Sequence, residues 1–294
     1  MDESKIEKEI FALTGGLSIC AFRILLDTGS VRATVPMLRG VWGCALRDLD
    51  LSAYEIMFEG YRPNMTPNFG RLNLPLYVMR PAPPNPDFAP AIELLLLGKA
   101  CRYDNVALEA FELATKAGLG KWREPFRVRK VCGVLPDGRQ VREPQTWPAS
   151  DAVSCLLRDV SNSDGLRLDF DAPLRILRRG KLVNVPSFVD MAVAGLRRLY
   201  AVSSVSFNMR LSARALEAAR RLPVSNWYGQ QQDLVRWSGR QKNRVEMRGV
   251  TGWLDLPEGA GPFRPLLAAC EWTHLGKGTV FGLGNLKLRS LQTQ

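Results

Sequence analysis

The order of apolar segments in the first half of the chain is the feature that most constrains its fold. Apolar residues that alternate or run without a break predict strands, and apolar residues at helical spacing predict helices. The predicted elements are strand 20–29, helix 34–50, strand 74–81, strand 91–98, helix 103–120 and strand 124–134. This order is typical of the split βαβ, or ferredoxin-like, unit, which is also called RRM-like.

The second half begins the same order again, with one extra helix. Its predicted elements are strand 165–177, helix 186–207, an arginine-rich helix at 210–222, strand-like sequence at 233–256, helix 261–273, a glycine-rich loop at 274–284 and a last strand at 285–291. We therefore predict an α+β protein of two tandem ferredoxin-like domains, residues 1–140 and 141–294. The second domain carries the arginine-rich insertion, at about residues 208–225, and the glycine-rich loop.

The charge of the chain indicates its partner. The formal net charge is +11 at pH 7, and arginine has a planar guanidinium that suits phosphates and base edges. Nucleic acid is therefore the expected partner, and a basic but inert surface is the alternative. No apolar run is long enough to cross a bilayer, and the N-terminal "MDESKIEKE" has no signal-peptide core, so we expect a cytoplasmic protein without a membrane partner.

The cysteines and the single histidine argue against a metal site. Six cysteines are scattered without a C-x-x-C pair, and only His274 could join them as a ligand. We expect reduced cysteines that act as small buried apolar residues, and we expect no metal and no cofactor.

The glycine-rich loop "HLGKGTVFGLG" does not match the common phosphate-binding motifs. The residue six before Lys277 is Glu271, where a Walker P-loop needs its first glycine, and Gly276, Gly278 and Gly282 do not have dinucleotide-fold spacing. The loop also follows a helix and enters a strand, which is the reverse of both motifs. A backbone cradle for a polyphosphate and a tight turn on its own helix both remain open. We expect His274 to be a structural hydrogen bonder or an RNA contact.

Four stretches together resemble one family. "EWTHLGKGTVFGLG" is similar to the C-terminal glycine-rich loop of the CRISPR-associated precursor-RNA endoribonucleases, the Cas-six family of the RAMP superfamily. "VRWSGRQKNRVEMRGVTGWLDL", "LRGVWGCALRDLD" and "FDAPLRILRRGKL" resemble its arginine-glutamine block, its first helix and the opening strand of its second domain. The matches follow the family's order.

The resemblance implies an RNA endonuclease. It implies binding of a CRISPR repeat hairpin, which becomes the crRNA, and cleavage at the 3′ base of the hairpin without a metal. The RNA's own 2′-hydroxyl attacks the phosphate and leaves a 2′,3′-cyclic phosphate. It also implies that the product hairpin stays bound and that other Cas proteins of an effector complex are partners.

One departure from the family moves the predicted chemistry to other residues. Family members often carry a catalytic histidine in or near the first helix, where this chain has none, and Cys44 is a weak replacement as a base. Arginine stays protonated, but it can hold the 2′-oxygen and the phosphate in line and stabilise developing charge, as in type IV-like variants. The predicted catalytic residues are Arg23, Arg39 and Lys242, and an ordinary phosphate contact or salt bridge is the alternative for each arginine.

The predicted RNA-binding residues lie on the arginine-rich helix, in the arginine-glutamine block and in the glycine-rich loop. They are Arg210, Arg214, Arg220, Arg221, Arg236, Arg240, Arg244, His274, Gly276, Lys277 and Gly278. A solvated helix face is the alternative for the helix. Two other functions stay open: a non-catalytic subunit that binds the crRNA hairpin, and a nucleotide enzyme that uses the glycine-rich loop.

Overall fold

A computed structural model describes residues 3–59, 74–84, 90–159, 165–203, 205–238 and 243–291. The helices are α1 Glu3–Gly15, α2 Val35–Leu49, α3 Leu51–Tyr54, α4 Asp104–Thr115, α5 Ala149–Asp159, α6 Phe188–Val202, α7 Met209–Arg221 and α8 Arg264–Thr273. The strands are β1 Ser18–Asp27, β2 Tyr77–Pro81, β3 Ala91–Leu97, β4 Arg127–Val134, β5 Gln140–Val141, β6 Thr146–Pro148, β7 Leu166–Leu174, β8 Leu177–Arg178, β9 Lys181–Leu182, β10 Tyr228–Gln232, β11 Val235–Ser238, β12 Asn243–Glu246, β13 Gly249–Leu256 and β14 Lys287–Ser290.

The chain forms two compact units. The N-terminal unit comprises Ser18–Trp147 and three residues of the glycine-rich loop, Val280–Gly282. The C-terminal unit comprises Met1–Leu17, Pro148–Thr279 and Leu283–Gln294.

The N-terminal unit has the ferredoxin-like sheet order. Its strands lie in the order β2-β3-β1-β4-β5, and β1 pairs antiparallel with both β3 and β4. Helices α2 and α4 pack on each other, and the indole N–H of Trp42 on α2 donates to the Ala107 carbonyl of α4 at 2.9 Å. Rings of Phe58, Tyr77 and Phe111 surround Trp42 at centroid distances of 5.0–5.6 Å.

The C-terminal unit repeats this order, with strands arranged β10-β13-β7-β14. Helix α6 starts with a capping box of Ser187 and Asp190, and α7 follows it as the predicted extra helix. The prediction of an α+β protein with two ferredoxin-like domains is therefore confirmed. None of the helices in the described ranges has the length and apolar character needed to cross a membrane.

Helices α1 and α5 and strand β10 lie where the sequence analysis predicted no element. Helix α1 buries Ile6, Ile10 and Leu13 at helical spacing, but its charged residues dominated the sequence interpretation. Strand β10, "YGQQQ", is exposed along its whole length and lacks apolar alternation, so it has no sequence signal of its own.

Candidate functional site

Arg39 on α2 carries a positive charge that no carboxylate of the described residues neutralises. Helix α2 buries Leu38, Trp42 and Leu46, and Arg39 lies beside this buried face. Its guanidinium carbon lies 4.8 Å from the ring centre of Phe58 and 4.6 Å from that of Phe281, at the tip of the glycine-rich loop. Such cation–π contacts restrain a guanidinium without neutralising it.

The surroundings of Arg39 leave a hydrogen-bond donor unused. Its Nε is buried and makes no hydrogen bond of normal geometry with any described residue, and no described carboxylate lies within 4 Å of the guanidinium. The buried Tyr77 hydroxyl lies nearby: burial raises the pKa of Tyr77, and the Arg39 guanidinium opposes that rise. A half-buried, charged donor of this kind is suited to bind an anion such as a phosphate.

Arg23 on β1 has the opposite surroundings. It is 8% exposed, and its Nη2 lies 2.6 Å from a carboxylate oxygen of Glu93, which is 2% exposed. The second oxygen of Glu93 accepts from Arg80 Nε at 2.8 Å. Arg23, Glu93 and Arg80 thus form a row across β1, β3 and β2, in which Arg23 and Glu93 are buried and Arg80 is partly buried.

The sheet separates Arg23 from Arg39. Successive residues of a strand point to opposite faces, so on β2 the side chain of Arg80 and that of Tyr77, three residues earlier, project to opposite sides. Arg39 lies on the Tyr77 side, and Arg23 lies on the Arg80 side. The structure therefore does not bring these two predicted catalytic arginines together.

The arginine-rich helix is confirmed as α7, and carboxylates contact three of its four arginines. Arg214 pairs with Glu9 of α1 at 2.5 Å, and Arg220 and Arg221 both pair with Glu217, at 3.6 and 2.9 Å. Arg210 is exposed, without a carboxylate within 4 Å in the described part of the chain. Arg210 is therefore the arginine of this helix that is most available to a phosphate.

The arginine-glutamine block is described only in part. Arg236 and Arg244 lie on β11 and β12, which pair antiparallel, with Arg236 opposite Val245 and Arg244 opposite Trp237. Arg240 and Lys242 lie outside the described residues. The predicted catalytic role of Lys242 therefore stays a prediction.

The two ends of the glycine-rich loop meet at His274. This histidine ends α8 with φ +60°, is fully buried, and its Nδ1 lies 3.0 Å from the Leu283 carbonyl oxygen. The Leu275 N–H donates to Gly284 O, and a Cβ on Gly284 would lie 1.8 Å from Leu275 O. His274 and Gly284 thus close the loop, which places the histidine in a structural role.

Lys277 is the exposed residue of this loop, between the partly exposed Gly276 and Gly278. The Lys277 N–H donates to Arg175 O at 2.8 Å, so it is used inside the C-terminal unit, whereas its side chain is exposed. Gly276 and Gly278 have φ +78° and +81°, and no hydrogen bond found among the described residues uses their N–H groups. These N–H groups and the Lys277 ammonium are therefore the part of the loop that is suited to contact an anion.

Four of the six cysteines are buried, as the sequence predicted, and the two exceptions lie on α2 and α5. Burial raises the pKa of Cys20 to about 11 and those of Cys101 and Cys270 to about 12, so these thiols stay protonated near neutral pH. Cys44, however, is exposed because the buried face of α2 contains Trp42 and lies on the other side of the helix. Cys155 is partly exposed. The expectation of burial is wrong for these two cysteines.

Sequence reasoning missed the aromatic residues that hold Arg39. Phe58, Tyr77 and Phe281 come from three separate parts of the chain, and only the fold brings them to α2. One signal was present, because Phe281 is an aromatic residue within a run of glycines. Among the described residues, no group of three or more His, Cys, Asp or Glu side chains is placed to hold a metal ion.

Comparison with solved structures shows the fold that this site belongs to. A Cas6 product complex matches with TM-score 0.62 and 15% identity, over 93% of this chain and 99% of that one. Thermus thermophilus Cas6 matches with TM-score 0.57 and 14% identity, over 93% and 99%. A partial Cas6-RT-Cas1–Cas2 complex matches with TM-score 0.54 and 12% identity, over 94% of this chain and 46% of that one.

Comparison of the sequence alone gives a match over a shorter part of the chain. A search of curated proteins returned no match. Residues 168–286, which include most of β7, all of α8 and the glycine-rich loop, match the family model of CRISPR-associated endoribonuclease Cas6. The family model and the fold together confirm the resemblance of this chain to the Cas6 family.

Proposed function

We propose that this protein is an endoribonuclease that cuts CRISPR repeat RNA into crRNA. The observation that carries the proposal is the Cas6 family match over residues 168–286 in a chain with the fold of Cas6 structures. The net charge of +11 is consistent with an RNA substrate. Retention of the product hairpin is part of the proposal, and the similar structures include a Cas6 product complex.

The proposed RNA contacts in the C-terminal unit begin with the predicted residues that have no carboxylate or backbone partner among the described residues. These are the side chains of Arg210 and Lys277 and the N–H groups of Gly276 and Gly278. Arg214, Arg220 and Arg221 can reach a phosphate only by exchanging or sharing their carboxylate partners. Arg236, Arg240 and Arg244 remain proposed contacts from the sequence. A-form RNA has a narrow major groove, so these groups are expected to bind phosphates rather than bases.

The proposed chemistry needs no metal. The 2′-oxygen attacks the adjacent phosphorus and loses its proton to solvent, while the bond from phosphorus to the 5′-oxygen breaks. The 5′-oxygen takes a proton from solvent, and the products are a 2′,3′-cyclic phosphate and a 5′-hydroxyl. Arg39 would hold the phosphate in line and stabilise the charge that develops on its oxygens. Its aromatic contacts and its unused Nε support this role.

One observation favours a second function, a subunit that binds the crRNA hairpin without cutting it. The only histidine of the chain, His274, is buried at the end of α8 and lies on a different element from α2. The described part of α2 therefore offers no ordinary general base near Arg39. Assembly with other Cas proteins, as in the Cas6-RT-Cas1–Cas2 complex, is a proposed partnership under both functions.

Incubation of the purified protein with labelled repeat RNA in EDTA tests the proposal. Cleavage that persists in EDTA and stops when the scissile nucleotide carries a 2′-deoxy sugar is the expected result. Tight binding without cleavage would favour the non-catalytic subunit. Cleavage of the 2′-deoxy substrate would contradict the 2′-hydroxyl mechanism.

A further inference from the structure

The turn between α4 and β4 presents a tryptophan to solvent. Trp122 is 76% exposed, whereas Leu119 and Phe126 on either side of it are buried. The N–H of Leu119 donates to Glu124 O at 2.8 Å, and the N–H of Glu124 donates to Leu119 O at 2.9 Å. These two bonds close a tight loop with Trp122 at its tip, which we call the Trp122 turn, residues 119–124.

The backbone of the Trp122 turn is held in an uncommon conformation. Arg123 has φ +51°, a left-handed conformation that non-glycine residues rarely adopt. Gly118 has φ +69°, and a Cβ there would lie 2.2 Å from Arg123 O, so only glycine fits. The turn therefore holds the backbone of Trp122 in a defined conformation at the surface.

The surface around the turn is strongly basic. Residues 116–130 contain six basic residues and one acidic residue. Arg129 pairs with Asp27 at 3.0 Å. The other basic residues are exposed and have no carboxylate within 4 Å among the described residues; they are Lys116, Lys121, Arg123, Arg127 and Lys130.

Protection of a sheet edge explains only part of this charge. Only Gly133 and Val134 of β4 pair with β5, so residues 127–132 have no second partner strand among the described residues. Charged residues on such an edge discourage pairing with another chain. This accounts for Arg127 and Lys130, but Lys121, Trp122 and Arg123 precede the strand and need another explanation.

The Trp122 ring contacts the neighbouring Lys121 but is otherwise largely exposed. The Lys121 ammonium lies 4.7 Å from the ring centre, and no aromatic ring of the described residues stacks on Trp122. An exposed ring beside basic groups is the combination with which proteins bind single-stranded nucleic acid, because bases stack on the ring and cations hold the phosphates.

We propose that the Trp122 turn binds a single-stranded segment of RNA, with one unpaired base stacked on Trp122 and the neighbouring phosphates held by Lys121 and Arg123. The identity of this RNA as part of a CRISPR transcript rests on the proposed function. The stacking itself does not, because every base has a face that can stack. The turn is therefore a second RNA contact, which neither the Arg39 site nor the glycine-rich loop includes.

Binding of labelled oligoadenylate of about 12 nucleotides tests the stacking. We expect Trp122→Ala to weaken binding at least about fivefold, and Trp122→Tyr to keep most of it, because base stacking contributes about 1–3 kcal/mol. Val185→Ala is the matched control, since Val185 is 71% exposed and lies outside the turn. Wild-type affinity in Trp122→Ala, or an equal loss in Val185→Ala, would overturn the proposal. Trp122-dependent binding to phosphatidylserine vesicles with no oligoadenylate binding would overturn it in favour of a membrane surface.

The salt dependence of the same binding tests the charges. The double variant Lys121→Gln with Arg123→Gln should lower the slope of log affinity against log salt by about 1.4, at about 0.7 per phosphate contact to a single strand. Arg139→Gln is the control, because Arg139 is exposed but pairs with Asp137, and its slope should not change. Equal slopes in the double variant and the wild type would overturn the phosphate contacts.

Cleavage of the repeat hairpin separates this inference from the proposed function. If the wild type cuts the hairpin while Trp122→Ala binds oligoadenylate normally, the inference alone fails. If oligoadenylate binding depends on Trp122 but the wild type neither binds nor cuts the hairpin, the proposed function alone fails.

Discussion

The two faces of the N-terminal sheet hold their arginines in opposite ways. On one face, Arg23 and Arg80 share the buried carboxylate of Glu93. On the other face, Arg39 keeps its charge and is held by the rings of Phe58 and Phe281. A buried ion pair orders a core, whereas a restrained and unpaired cation can stabilise charge that arrives with a ligand. The comparison favours Arg39 for the chemistry and a structural role for Arg23.

The largest expected effect on stability comes from Glu93→Gln. This change leaves the buried Arg23 and the partly buried Arg80 without their carboxylate, and breaking a buried pair costs about 3–5 kcal/mol. Urea unfolding should show this loss in the free energy of unfolding. Asp137→Asn, which removes the exposed partner of Arg139, is the control and should cost less than about 1 kcal/mol. An equal loss of unfolding free energy in Glu93→Gln and Asp137→Asn would show that the carboxylate of Glu93 stabilises the protein no more than an exposed one.

Phe281→Leu should have a smaller effect, on cleavage rather than on folding. Leucine keeps an apolar side chain at the loop tip but removes one ring from Arg39, and a cation–π contact contributes about 0.5–2 kcal/mol. We expect single-turnover cleavage to slow about 2- to 30-fold. Phe281→Tyr keeps the ring and should cut at nearly the wild-type rate. Wild-type cleavage by Phe281→Leu would show that the ring does not position Arg39.

The smallest expected effect is at the partly exposed pair of Glu9 and Arg214. The hydrogen bond from Arg214 lowers the pKa of Glu9, so the pair stabilises the protein above the ordinary pKa of a glutamate. This contribution disappears as the pH falls through the lowered pKa. Glu9→Gln should therefore lower the free energy of unfolding by up to about 1 kcal/mol at pH 7 and leave it unchanged at about pH 2. If Glu9→Gln cost more free energy of unfolding at about pH 2 than at pH 7, the expected direction of this pH dependence would be contradicted.

The strand and helix order was predictable because it depends on local patterns. Apolar runs such as "AIELLLLG" indicate buried strands, and both ferredoxin-like sheets follow from the order of these segments. Helix α7 and the structural role of His274 were also visible, from an amphipathic arginine pattern and from the absence of a nucleophile motif.

The surroundings of the arginines were not predictable, because they depend on distant residues. Arg23 and Glu93 are separated by 70 positions and meet only through the register of β1 and β3. Phe281 reaches Arg39 only because residues 280–282 belong to the N-terminal unit. The sequence therefore shows where the arginines are along the chain, whereas the fold decides which of them lie beside a carboxylate.

Cleavage and binding of repeat RNA by Arg39→Ala and Arg23→Ala, measured side by side, test the central claim most directly. The account predicts that Arg39→Ala cuts at least about 100-fold more slowly while its affinity for the RNA changes much less, because one donor to a developing charge contributes about 2.7–4 kcal/mol. Arg23→Ala should lower the free energy of unfolding but cut within a few-fold of the wild type wherever it is folded. A folded Arg23→Ala that no longer cuts, beside an Arg39→Ala that cuts normally, would contradict the account.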